Sequence, residues 1–295
     1  MTEQTDETAP KEFKSFLKSV GGNEGDVCLY STRLDLYGCG CAHDCKYCYA
    51  KSLLEFRGLW HPNNPSVANI DKVEKKIKKL KPGTVLRLGG MTDCFQPAEN
   101  VHRVTMKTID LLNKYRIGYL IITKSPMVAK PEYLDRMDRD LAHVQFTLTF
   151  TDDELYRKIG IENAPPPSAR IKAIETLESA GVDTAIRLSP YIPQFIDNEV
   201  LNNIKCDKVL VEFLRMNHWM EKWFGGKLDF SDYTRKFHGY NHLPFEKKME
   251  LVKQLGKAHT VTVCDWEPEY LDFWKKEYNP NPKDCCNLRK PNEQG

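Results

Sequence analysis

The strongest constraint on this chain's fold is an alternation of short β-branched or apolar runs with longer amphipathic stretches through the middle of the sequence. Residues 84–88 (TVLRL), 117–123 (IGYLIIT), 144–150 (VQFTLTF), 182–188 (VDTAIRL) and 208–213 (KVLVEF) have the length and residue types of strands. Between them, residues 73–80, 100–115, 131–137, 169–180 and 198–204 carry helical patterns. The helix over 169–180 stops at Ala180-Gly181, and a strand follows at once. Such a series favours parallel strands joined by right-handed crossovers, hence an α/β fold. With an initial strand around 27–36 the count is six βα units, short of the eight that close an ordinary barrel. The expectation is a partial (β/α)6 barrel whose active face lies at the loops after strand C-termini.

Three regions follow from this reading: a flexible polar tail over 1–25, the core barrel over 26–216, and an extension over 217–295. In the extension Trp219, Trp223, Phe224 and Phe230 interleave with charges, and it is expected to cover the barrel mouth. A length of 295 residues suits one such unit, and 41% hydrophobic residues supply its core. Residues 1–10 are polar and acidic, and nowhere do 18 apolar residues run together, so a cytoplasmic protein with no membrane partner is expected. The 43 basic side chains nearly balance the 41 acidic ones, so no global field advertises nucleic acid.

Ten cysteines do not suit a disulfide scaffold in a chain with so large a core, and several are crowded into one loop. That loop, residues 38–50, reads GCGCAHDCKYCYA. Cys41, Cys45 and Cys48 are spaced CxxxCxxC, and a short glycine-containing loop turns tightly enough to aim three thiolates at three corners of a cubane cluster. The fourth iron is left open, which favours a small molecule bound directly to metal. A zinc knuckle, buried structural thiols, or Cys39 as a fourth ligand are the alternatives.

On these residues the chain resembles the radical S-adenosylmethionine superfamily, whose motif is CxxxCxxC with an aromatic residue, here Tyr47, before the last cysteine. The resemblance implies a TIM-like partial barrel, a [4Fe-4S] cluster, S-adenosyl-L-methionine bound to the open iron, and reductive cleavage to a 5′-deoxyadenosyl radical that abstracts hydrogen. It also implies a low-potential electron donor such as flavodoxin or ferredoxin. Residues 34–197 resemble more closely the spore photoproduct lyase-like branch, also described as DNA repair photolyase-related proteins. The segments that carry this are GGMTDCFQPAE, the IITKS run ending at Ser125, the DDEL turn starting at Asp152, and RLSPYIP starting at Arg187.

By this resemblance Gly89 and Gly90 meet the methionine amino group, with Thr92 and Asp93 beside them, and Lys124 reaches the cofactor's carboxylate or a nearby anion. Thr147 or Thr149 offers a hydroxyl, and backbone near Ser189 meets the adenine. Arg187 is a further cofactor or substrate candidate, and a buried guanidinium would need an anionic partner. Spore photoproduct lyase itself carries a hydrogen-donating cysteine at a position near Gly90 here. Cys94 is therefore a displaced candidate donor, and thymine-dimer repair is not carried over.

Toward the C-terminus Cys264, Cys285 and Cys286 are candidates for a second cluster or a zinc ion, or else structural thiols, since adjacent cysteines diverge in an extended chain. The aromatic and basic segment 218–242 could stack bases or pack a lid. A nucleotide or nucleic-acid base leads the substrate classes by family analogy, ahead of a peptide or small metabolite. The rival from another class is a non-catalytic iron-sulfur or zinc-binding nucleic-acid adaptor.

Overall fold

The computed structural model describes residues 12–13, 17–19, 28–265 and 267–290. Seven parallel strands form its centre: β1 (Thr32–Leu34), β2 (Val85–Leu88), β3 (Gly118–Thr123), β4 (Ala142–Thr147), β5 (Asp183–Tyr191), β6 (Lys208–Phe213) and β7 (Thr260–Val263). They lie side by side in chain order, and Leu17–Ser19 pairs antiparallel with the free side of β1. No bonds join β7 back to the other edge among the described residues, so the sheet is an open α/β barrel. The sequence pattern yields six of these strands. The seventh escapes it because Thr260–Val263 is a run of four residues lying beyond the aromatic-rich stretch, outside the βα alternation.

Of the segment expected as a flexible tail, 1–25, the described part is Glu12–Phe13, paired parallel with Ser66–Ala68, and Leu17–Ser19; these five residues are strand rather than tail. The rest of that segment lies outside the described residues.

Strand β4 is buried throughout, as expected for a parallel strand covered on both faces. Its two faces still differ: Ala142, Val144 and Phe146 alternate with His143, Gln145 and Thr147. The polar set faces the lumen, where Gln145 meets Arg187 of β5 and Thr147 borders a cavity. The helix Pro167–Ser179 buries Arg170, Ala173, Ile174 and Leu177, the i, i+3, i+4, i+7 stripe of an outer helix. Proline at its first turn and Gly181 at φ +73° just beyond its end set its limits; the glycine stop is the one the sequence predicts, while the start lies two residues before the expected 169.

Candidate active site

The cysteine loop follows the short strand Tyr37–Gly38, just after β1, and is held by the protein itself. Lys46 N donates to Ile161 O (2.8 Å) and Asn163 N to His43 O (2.7 Å). From below, fully buried Gln96 accepts from Ala42 N and donates through Nε2 to Gly40 O, each at 3.1 Å. Gly40 has no room for a side chain, because a Cβ there would fall 2.0 Å from His61 O. These contacts put Cys41, Cys45 and Cys48 on one cavity of ≈310 Å³ at the C-terminal ends of the strands. Burial pushes the Cys41 thiol up to about 12, through desolvation first, and raises Cys45 and Cys48 too, against the opposing charge of Lys124. Thiols so placed stay neutral until a metal takes the proton's place.

The glycine pair lies on the same cavity. Gly89 adopts φ +80°, a conformation open to glycine at little cost. Gly90 N and Met91 N both donate to Asp35 Oδ1 at 2.8 Å, and Gly90 O accepts from the Tyr49 hydroxyl. Thr92 borders the cavity but commits its hydroxyl to Tyr37 O.

Asp93 also borders the cavity, yet its carboxylate is spent on the fold. Oδ1 accepts from Phe95 N (2.8 Å) and Thr123 Oγ1 (2.7 Å), while Oδ2 accepts from Lys124 N (2.8 Å) and lies 3.3 Å from His43 Nε2. Burial alone would raise its pKa; the His43 contact and these amides hold it below the usual carboxylate range. Asp93 thus ties the β2 and β3 loops to the cysteine loop. Lys124 projects into the cavity with Nζ 5.5 Å from the centre of the Tyr47 ring.

On the opposite wall Thr147, Arg187 and Ser189 border the same space. Arg187 has the anionic partner its burial requires: it donates to Glu212 Oε2 (2.5 Å) and to Gln145 Oε1 (2.7 Å). Glu212 also accepts from Ser189 Oγ (2.8 Å) and Arg215 (3.1 Å). Burial opposes its charge, but Arg187 and Arg215 hold its pKa down to about 2. Sequence reasoning passes over Glu212 and Gln96. The available signals were a single acid inside the apolar run KVLVEF and an amide within the glycine-rich stretch after β2.

Two candidates lie elsewhere. Thr149 is absent from the cavity wall; it sits 3.3 Å from the Tyr47 hydroxyl and 3.2 Å from Arg170, in a buried cluster with Glu162 beneath the loop. Cys94 is packed in the core at 1% exposure and does not border the cavity, because Phe95 N and Lys124 N fold the segment around Asp93 and leave the thiol facing inward. That position does not suit a hydrogen donor. Cys39, at φ +56°, is likewise not on the cavity wall. Cys264, Cys285 and Cys286 do come together, on a second cavity described below.

The family model described as the Radical SAM superfamily matches residues 36–205, from the cysteine loop through β5 and the helix after it. The chain belongs to the radical SAM superfamily. Members generally use a [4Fe-4S] cluster and S-adenosylmethionine. An uncharacterized protein of Mycobacterium tuberculosis is 26% identical over 170 residues, 54% of this chain and 49% of that protein. An uncharacterized protein of Methanocaldococcus jannaschii is 29% identical over 170 residues, 55% of this chain and 61% of that protein. The radical SAM chain thus spans about half the length of the first of these curated relatives.

Among solved structures, a spore photoproduct lyase mutant shares the fold at TM-score 0.63 and 15% identity, covering 84% of this chain and 77% of that one. Another, solved with AdoMet and a dinucleoside spore photoproduct, gives 0.58 at 16% identity, over 79% and 75% of the two chains. Streptococcus suis SuiB bound to precursor peptide SuiA gives 0.53 at 13% identity, over 79% and 48%. No helix among the described residues is long and apolar enough to cross a membrane.

Proposed function

We propose that this chain is a radical SAM enzyme in which Cys41, Cys45 and Cys48 each bind one iron of a [4Fe-4S] cluster and S-adenosylmethionine fills the adjoining cavity. One observation carries the reading: three buried thiols share a ≈310 Å³ cavity with Gly89, Gly90 and Lys124 at the C-terminal face of an open parallel barrel. The donor set suits the group. Cys41, Cys45 and Cys48 are the cysteines on the cavity wall among the described residues, one thiolate for each of three irons.

A cluster held by these thiols would supply the electron for reductive cleavage of S-adenosylmethionine and so for radical hydrogen abstraction. The chain's own residues position and enclose. Gln96, Gly40 and the Ile161 to Asn163 backbone fix the loop so that the thiols need little reorganisation. Lys124 sets a positive charge where the cofactor's carboxylate would lie, and Gly89 and Gly90 border the same cavity without a side chain to crowd its amino group. Arg187, Glu212 and Ser189 form a preorganised polar wall at the adenosine end.

For the substrate we infer a nucleotide or nucleic-acid base. The support is the lining of the cavity, which includes the aromatic residues Trp60, Tyr49 and Tyr240, together with the fold shared with spore photoproduct lyase. A flavodoxin or ferredoxin is the inferred electron donor.

Anaerobic reconstitution followed by dithionite and S-adenosylmethionine tests the chemistry: 5′-deoxyadenosine should form, and should be lost in Cys41→Ala, Cys45→Ala or Cys48→Ala. A folded, iron-loaded chain that makes none sinks the proposal. Deuterium transfer from labelled nucleosides or oligonucleotides into 5′-deoxyadenosine tests the substrate class, and its absence with all of them removes nucleic acid.

A further inference from the structure

A second cavity, of ≈50 Å³, lies inside the barrel and shares Arg87, Ile122, Arg187 and Glu212 with the first. Four cysteines line it: Cys28, Cys264, Cys285 and Cys286. They come from opposite ends of the chain. Cys28 precedes β1, Cys264 directly follows β7, and the adjacent pair lies in the C-terminal segment, so the thiols meet across the open side of the barrel.

The C-terminal segment is built to stay there. Asp284 accepts from Tyr30 Oη (2.8 Å), Cys286 N (2.9 Å) and Leu288 N (3.2 Å). Asn287 O accepts from Lys208 Nζ (2.8 Å), and Arg289 N donates to Asp183 Oδ2 (2.8 Å). The turn closed by the Asn281–Asp284 bridge, with Asn287 at φ +49°, lets neighbouring thiols face one space rather than diverge as in an extended strand. Cys286 packs against Leu120 and Leu210 on the lumen wall, with Cys264 and Cys285 beside it.

Cys285 is within hydrogen-bond reach of both Cys264 and Cys286, and Cys28 shares the cavity with them. Arg87 and Arg187 line the same cavity. Gln145 is buried, and its Nε2, without another hydrogen-bond partner, lies beside the Cys286 thiol. A thiol accepts such a bond weakly and a metal-bound thiolate well.

We propose that Cys28, Cys264, Cys285 and Cys286 bind a second iron-sulfur cluster, ligated on every iron, inside the barrel next to the cofactor cavity. One observation favours a cluster over one zinc ion: the cavity is several times the ~15 Å³ that one water needs, so it has room for more than an ion. Four cysteines leave no iron open, so this site would not bind S-adenosylmethionine; it suits electron transfer or the closure of the barrel.

The test uses the full chain with Cys41, Cys45 and Cys48 all replaced by Ala, reconstituted anaerobically with iron and sulfide. It should keep roughly half the iron and sulfide of the wild type. Reduction should give an electron paramagnetic resonance signal that S-adenosylmethionine leaves unchanged. Adding Cys285→Ser and Cys286→Ser should remove both. A triple variant with the wild-type circular dichroism spectrum that holds no iron, or holds zinc instead, overturns the proposal. Should a variant fail to fold, the reduced wild type decides: two signals are expected, one shifted by S-adenosylmethionine and one not. A single signal shifted completely refutes the second cluster.

Discussion

Glu162 and Arg170 form an ion pair with both side chains wholly buried, and the Tyr47 hydroxyl donates to the same carboxylate. Exchanging one member for a neutral group leaves a charge in the core without a counter-ion. Glu162→Gln is therefore expected to cost about 3–5 kcal/mol, read as a lowered guanidinium midpoint, and a loss under 1 kcal/mol would contradict the assignment. Lys124 acts differently, because its amine projects into the cavity. Lys124→Met should weaken S-adenosylmethionine binding by roughly 10- to 100-fold in the reconstituted chain, the worth of one charge-assisted hydrogen bond. Calorimetric titration measures this, and unchanged affinity would remove Lys124 from the cofactor's contacts. Neither role follows from residue type alone: Lys124 could be predicted from its place at the end of β3, whereas the Glu162 pair depends on a fold-back that brings residues 149, 162 and 170 under Tyr47.

At the scale of elements, the helix His218–Phe224 carries Met220 to the cofactor cavity. Asn217 caps it, its side chain accepting from Met220 N at 2.9 Å. Asn217→Ala should destabilise the chain by about 1 kcal/mol, and Asn217→Ser should restore most of that, as urea titration would register. Equal losses in both variants would mean that the asparagine matters for something other than its cap. The strands β2 to β6 and the helix Pro167–Ser179 were legible because each has a length, a periodicity and a stop signal of its own. Strand β7 was not, since four residues of TVTV gain their strand identity from the edge of β6.

Across the whole molecule, Asp183 links parts far apart in sequence. It binds His143 Nδ1 (2.6 Å) on β4, Lys208 Nζ (2.6 Å) on β6 and Arg289 N (2.8 Å) in the C-terminal segment. Burial opposes its ionisation, but these donors lower its pKa from the ordinary 3.8 to about 2. A carboxylate depressed in the folded state stabilises above its unfolded pKa and loses that contribution as the pH falls through the folded one. Asp183→Asn should thus be less stable than wild type at neutral pH by about 2 kcal/mol, with the gap shrinking between about pH 4 and pH 2. Thermal melts across that range measure it; a gap that stays constant would show that Asp183 acts by shape and not by charge.

The alternation of strand and helix, the three-cysteine spacing and the glycine pair are local, and each acts within a few residues through backbone conformation and side-chain direction. For that reason the amino-acid order alone was enough to determine a parallel α/β barrel with a cysteine loop after its first strand. Which side chains meet was decided by folding. Glu212 joins Arg187 and Ser189 through the pairing of β5 with β6, Cys94 turns into the core while Asp93 takes the loop amides, and Cys28 reaches Cys286 from the other end of the chain. Contacts between residues so far apart carry no periodic signature, because they depend on how the strands stack and where the barrel stays open.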